Sequence, residues 1–168
     1  MEFLIYLLVL VLSFLGLAMG IILSYQTKEE IPYGKRYFKL AKLFLIIIIF
    51  GSLFYFASQF NFRIIIVFLV MIFLITLFRE YIKYDSQIEY ALLSMAFFLS
   101  SFNKTVFMLN ASLIFLYGFL EAGLFFINTR NKKENLKLSI FNIVFKEHIH
   151  FFILSLLWYG LYIFINIF

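Results

Sequence analysis

Six apolar stretches alternate with polar stretches along this chain. The helices that the pattern predicts cover residues 3–23, 41–58, 64–78, 88–102, 106–127 and 149–168. A helix needs roughly 20 apolar residues to cross the bilayer core of about 30 Å, and the stretch at 88–102 is short for that purpose. The pattern therefore predicts one all-α domain over residues 1–168, a polytopic bundle of six transmembrane helices.

The composition supports a lipid environment. Apolar residues make up 65% of the 168 residues and charged residues 14%, against about 45–50% and about 25% in ordinary soluble domains. The first apolar stretch is too long for a signal-peptide core and follows Glu2 rather than a basic start, so we expect a retained helix. The excess of Phe, Ile, Tyr, Asn and Lys indicates an AT-rich genome, as in organelles, symbionts or some archaea. We expect the cell membrane, or an organelle inner membrane.

Basic residues concentrate in alternate loops of the predicted bundle. Twelve of the fourteen Lys and Arg residues lie between helices 1 and 2, 3 and 4, or 5 and 6, and the other two are Arg63 and Lys104. Inner loops collect Lys and Arg during membrane insertion, so the pattern predicts that both termini lie outside. This placement also accounts for the net charge of +5, and we expect no nucleic-acid partner.

The first inner loop, residues 24–42, combines a predicted turn at Pro32 and Gly34 with basic and aromatic residues. Its basic residues of interest are Lys35, Arg36, Lys39 and Lys42. Two interpretations stay open: an anchor at the level of the lipid headgroups, or a site for anionic lipid at the inner leaflet. The Glu-Glu-x-x-x-Gly-Lys-Arg-Tyr-Phe pattern after the first helix resembles small uncharacterised multi-pass membrane proteins of archaea over residues 16–40. That resemblance implies no activity.

The second inner loop leads into the last predicted helix. Residues 136–145 fit either a short helix lying in the membrane interface or the first turns of an overlong sixth helix. Glu147, His148 and His150 follow at its inner mouth. Residues two apart on a helix do not share a face, and a zinc site usually takes three or four protein ligands. We therefore expect interfacial histidines and no metal.

Small residues recur at helical spacing in the first helix. The row is Ser13, Gly16, Gly20 and Ser24. Such small-xxx-small rows let two helix backbones approach closely in a membrane, so the row predicts a packing face.

One polar stripe runs along the fifth predicted helix. Its members are Asn103, Asn110, Tyr117, Glu121 and Asn128, which lie within about 20° of one direction at 100° per residue. A charge at the centre of a membrane helix costs about 3 kcal/mol or more, so Glu121 should face the protein or a water-filled cavity. With Lys42 counted among the basic residues of the first inner loop, we expect no basic partner for Glu121 inside the membrane. Glu121 is therefore either a proton or cation site with Asn110, Tyr117 and Asn128 as neighbours, or a tie between helices.

The residue inventory disfavours catalysis. The chain has no Cys, which removes thiolate chemistry and iron–sulfur ligation. Its one aspartate is Asp85, and no phosphate-binding loop or dinucleotide fingerprint is present. We predict no catalytic residue and no cofactor. The expected function is an accessory, scaffold or assembly subunit that contacts other membrane subunits or copies of itself. The alternative is a small ion- or proton-coupled transporter or channel that uses Glu121, and a lipid-active intramembrane enzyme ranks third.

Overall fold

The computed structural model describes residues 2–27, 31–59, 86–129 and 137–167. Within these ranges the chain forms five helices and no strand. They are α1 (Phe3–Gln26), α2 (Ile31–Gln59), α3 (Ser86–Ser100), α4 (Lys104–Thr129) and α5 (Lys137–Ile167). The predicted all-helical class is confirmed for the described part, and the predicted helix at 64–78 lies outside it.

Three of these helices contain segments long and apolar enough to cross a membrane. The segments are Phe3–Gln26, Tyr33–Ala57 and Lys104–Asn128. Shorter apolar segments, Glu89–Ser100 and His148–Phe164, belong to α3 and α5. Each of the long segments exceeds the roughly 20 residues that a span requires.

The structure corrects the predicted start of the second helix. α2 begins at Ile31, ten residues before the apolar stretch at 41–58. Pro32 and Gly34 therefore lie in the first turn of a helix rather than in a loop. Proline is tolerated there because the first backbone N–H groups of a helix have no partner within it.

The last helix is also longer than its apolar part. Residues 137–167 form one helix of 31 residues, which corresponds to the overlong-helix alternative for the segment at 136–145. At 1.5 Å per residue this helix is about 46 Å long. α5 therefore begins twelve residues before the predicted span at 149–168.

α1 and α4 run parallel in close contact through the predicted small-residue row. A Cβ atom added at Gly16 or Gly20 would overlap with the backbone carbonyl of Phe115 or Phe119, respectively. The Ser13 hydroxyl contributes a hydrogen bond to the Ala111 carbonyl, at 3.3 Å. Small side chains therefore allow the two backbones to approach closely.

The other helices run antiparallel to this pair. α2 is antiparallel to α4, because the Lys35 side chain bonds to Asn128 and Ser52 bonds to Asn110. We call the end of the bundle where α2 begins and α4 ends the basic end. Gln59, at the end of α2, therefore lies toward the opposite end.

α3 and α5 begin at the basic end. The Tyr90 ring packs against Tyr117 in the second half of α4, whereas Phe97 packs against Phe107 in its first half. α3 is thus antiparallel to α4. α5 follows the direction of α3, since Tyr90 contacts His148 and Phe98, later in α3, contacts Trp158, later in α5.

Candidate functional site

Three charged side chains from three helices meet inside the bundle. Lys42 comes from α2, Glu89 from α3 and Glu121 from α4, and their exposed fractions are 6%, 4% and 8%. The Lys42 Nζ lies 2.9 Å from the Glu89 Oε2, and it also donates a hydrogen bond to the Glu121 Oε2 within a second ion pair. We call these three residues the ionic cluster.

Local helix geometry places the two acidic residues of the ionic cluster. Glu89 lies in the first turn of α3, where the partial positive charge of the helix N-terminus favours a carboxylate. Glu121 lies one turn after Tyr117 on α4, and residues four apart share a helix face. Tyr117 and Glu121 therefore point toward the same neighbours.

Tyr117 contacts both kinds of charge in the cluster. Its hydroxyl donates a hydrogen bond of 2.5 Å to the Glu89 Oε2. The centre of its ring lies 4.9 Å from the Lys42 Nζ, within the range of a cation–π contact. Tyr117 is fully buried, so a single side chain orients the lysine and one of its two carboxylates.

Aromatic rings connect the cluster to α5. Tyr90 packs edge-on against Tyr117, with ring centres 5.8 Å apart, and edge-on against His148, with ring centres 4.3 Å apart. His148 is buried, whereas His150 is exposed, so the two histidines face different surroundings. The side chain of Glu147 lies outside the described part. Among the side chains that the structure describes, no group of three His, Asp or Glu residues has the arrangement of a metal site.

The predicted polar stripe of α4 faces α2 at three levels. At the basic end the Lys35 Nζ donates to the Asn128 Oδ1, at 3.0 Å. At the next level the Lys42 Nζ donates to the Glu121 Oε2. Farther along, the Asn110 Oδ1 accepts a hydrogen bond of 2.7 Å from the Ser52 hydroxyl. The three contacts form a polar seam between the antiparallel helices.

Asn103, the first member of the predicted stripe, bonds to the backbone at the start of its own helix. Its Oδ1 accepts hydrogen bonds from the backbone N–H groups of Thr105 and Val106, at 3.0 and 3.2 Å. These are backbone donors that a helix leaves without an internal partner at its start. Asn103 therefore caps α4.

The partner of Glu121 differs from the expectation. The sequence interpretation gave this carboxylate no basic partner and assigned Lys42 to a headgroup-level loop, together with Lys35, Arg36 and Lys39. Because α2 begins at Ile31, Lys42 lies in its fourth turn and faces the interior. The other three basic side chains are exposed.

Sequence reasoning also missed Glu89. It lies in the first turn of an apolar helix, where an acidic residue is a candidate for an ion pair. A further signal was available in the spacing: Lys35 and Lys42 are seven apart on α2, and Glu121 and Asn128 are seven apart on α4. Because the two helices run antiparallel, this equal spacing places Lys35 beside Asn128 when Lys42 lies beside Glu121.

The small residues of the α1 row lie on the side of the helix that contacts α4. Ser13, Gly16, Gly20 and Ser24 are buried. The Ser24 hydroxyl donates to the Gly20 carbonyl, which satisfies its polar group within the helix.

Two carboxylates from different helices share one ammonium group in this cluster. If one carboxyl takes up a proton, the other keeps its ion pair with Lys42. A buried ion pair that loses one member is costly, whereas this cluster changes its charge by one and still retains a pair. The Tyr117 hydroxyl supplies a further exchangeable hydrogen bond. A change in the charge of either carboxyl therefore still leaves one ion pair at the site.

Comparison of the chain with protein families, with curated proteins and with solved structures found no match.

Proposed function

We propose that this chain is an integral membrane protein of six transmembrane helices, and that it is a small proton transporter or channel with its proton-binding site at the ionic cluster. The observation that carries the proposal is that two buried carboxylates from different helices share Lys42. Ionisable groups within membrane helices commonly mark proton relays and transport paths.

Two features support the proposed topology. Three segments are long and apolar enough to cross a bilayer. In addition, α2 ends and α3 begins toward opposite ends of the bundle, so an odd number of crossings between Gln59 and Ser86 suits the predicted span at 64–78. With the basic end on the inner side, both termini lie outside, in accord with the distribution of Lys and Arg.

Proton coupling follows from the way the cluster joins three helices. With both carboxylates ionised, Lys42 holds α3 through Glu89 and α4 through Glu121. Protonation of either carboxyl weakens one of these two links and leaves the other in place. The relative stability of two helix arrangements then depends on proton occupancy, and a transporter needs such a bias.

A second candidate function is an accessory subunit of a membrane complex, with the ionic cluster as a structural tie. The observation that favours it is an apolar groove on the outer side of the α1–α4 pair. Its lining includes Leu8, Leu12, Met19, Met108 and Leu116. A transmembrane helix of another subunit would fill such a groove through side-chain packing.

The deciding experiment measures proton flux in liposomes that contain the purified chain and a pH-sensitive dye. Under an imposed membrane potential we expect flux above that of empty liposomes, and we expect Glu121→Gln to abolish it while the protein remains folded. Lys104→Gln is the matched control, because Lys104 is exposed at the opposite end of the bundle. Full flux in Glu121→Gln would refute the proton site.

Mass spectrometry of the intact protein, purified in mild detergent, separates the two candidates. Stoichiometric foreign subunits together with absent flux would support the accessory role. The topology is tested separately by single cysteines at Thr27 and Ser101, which the cysteine-free chain permits without further changes. A membrane-impermeant maleimide applied from outside should label Ser101→Cys and not Thr27→Cys, and the reverse labelling would invert the topology.

A further inference from the structure

The first turns of α2 carry an exposed face with both basic and aromatic residues. Tyr33 and Tyr37 are 86% and 73% exposed, and Arg36 is exposed between them. Residues three and four apart are neighbours on a helix surface, so these three side chains form one patch. Lys39 is exposed at its side.

The patch continues into an apolar strip along the same helix. Leu40 and Phe44 are exposed, and they lie four and eight residues after Arg36. At 1.5 Å per residue the strip reaches about 12 Å beyond the arginine. One face of α2 thus presents a cationic head followed by an apolar length.

The cations of this patch differ from the neighbouring lysines in their contacts. Lys42 is held inside by two carboxylates, and the Lys35 ammonium donates to Asn128. Across the described residues, neither Arg36 nor Lys39 takes part in a salt bridge. Their charge is thus directed toward the surroundings of the bundle.

We infer that this face of α2 binds an anionic phospholipid, with the phosphate at Arg36 and Lys39 and an acyl chain along Leu40 and Phe44. Charge complementarity selects an anion, and an arginine binds phosphate through a fork of N–H donors. The apolar strip selects an amphiphile over a free phosphate ion. Tyr33 and Tyr37 suit the level of the headgroups, where tyrosine is enriched. The inference requires membrane insertion but not the proposed proton site.

The experiment uses a tryptophan reporter within the patch. The chain has a single Trp, Trp158 on α5, so Trp158→Phe combined with Tyr37→Trp leaves the reporter as the one tryptophan. The protein is reconstituted in phosphatidylcholine membranes, and brominated phosphatidylglycerol or brominated phosphatidylcholine is then titrated in. Bromine quenches tryptophan on contact, so the titration gives the relative affinity of each lipid for this face.

We expect the reporter to prefer phosphatidylglycerol, and we expect Arg36→Gln and Lys39→Gln each to lower that preference about fivefold, which corresponds to about 1 kcal/mol per cation. Lys104→Gln should leave it unchanged, because Lys104 is an exposed lysine at the opposite end. All three side chains are exposed, so the substitutions leave the packing of the bundle intact.

Other outcomes overturn the inference in distinguishable ways. Equal quenching by both lipids would show insertion without anionic selectivity. Loss of the preference in inorganic phosphate, but not in chloride of equal ionic strength, would show that the two cations bind a free phosphate ion rather than the lipid. No quenching by either lipid would place this face away from the bilayer and would overturn the inference. Proton flux is measured separately and is unaffected by the first two outcomes.

Discussion

Lys42→Met should destabilise the fold far more than the loss of either of its acidic partners. The substitution keeps an unbranched side chain of similar length and removes the ammonium that Glu89 and Glu121 share. Two carboxylates then remain close together in a buried site. By contrast, Glu89→Gln or Glu121→Gln removes one negative charge and leaves a one-to-one ion pair with Lys42.

The geometry sets the size of the effect. At 2.9 Å and an effective dielectric constant of about 20, the attraction between Lys42 and Glu89 is about 6 kcal/mol. Removal of the charges from water offsets a large share of this attraction, and loss of one member of a buried pair costs about 3–5 kcal/mol. For Glu121→Gln we expect a loss of about 1 kcal/mol, because the amide oxygen still accepts a hydrogen bond from Lys42.

A combined variant tests whether charge balance is the cause. In Lys42→Met with Glu89→Gln and Glu121→Gln, no ionised group remains in the cluster, and the amide oxygen introduced by Glu89→Gln can still accept from Tyr117. We expect this variant to be more stable than Lys42→Met alone. Such a rescue is the non-additivity that residues in one network show.

The assay is the free energy of unfolding in mixed micelles, obtained from an SDS titration followed by circular dichroism. A cost of Lys42→Met no larger than that of Glu121→Gln would contradict a charge-based role for Lys42. A combined variant as unstable as the sum of the single losses would also contradict it, because the cluster would then act through shape rather than charge.

Two further predictions concern the contacts around the cluster and along α1. Gly16→Ala should destabilise the protein by about 1–3 kcal/mol, because overpacking displaces the neighbouring backbone. Gly51→Ala is the control, since a Cβ atom there meets nothing within 4 Å. Equal effects of the two substitutions would contradict the close α1–α4 contact. Tyr117→Phe should lower the free energy of unfolding by about 1.5–3 kcal/mol in the same titration, because it removes a hydrogen bond to the Glu89 carboxylate. An unchanged free energy of unfolding would show that this bond contributes nothing.

The sequence by itself was enough to predict the helical class and the approximate places of the described helices. Apolar runs of these lengths have few alternatives, because backbone groups in apolar surroundings must be satisfied within a helix or a closed barrel. The small residues at Gly16 and Gly20 and the stripe through Tyr117 and Glu121 were visible for a similar reason. Helical periodicity alone places them on single faces.

The ends of α2 and α5 were less visible. The predicted spans begin at residues 41 and 149, whereas α2 begins at Ile31 and α5 at Lys137. Hydrophobic patterns report where a helix meets apolar surroundings rather than where its hydrogen bonding begins. A turn was predicted at Pro32 because the start of the apolar run was taken as the start of the helix.

The tertiary structure alone decided the partners of Glu121. Lys42 lies 79 positions away in the chain, and its inward direction depends on the early start of α2 and on the pairing of α2 with α4. Glu89 reaches the same point from a third helix. Local hydrophobicity and periodicity depend on near neighbours in the chain, and the sequence determined these. An ion pair depends on which helices pack together and at what level, and packing arises only when all the apolar faces are buried at once.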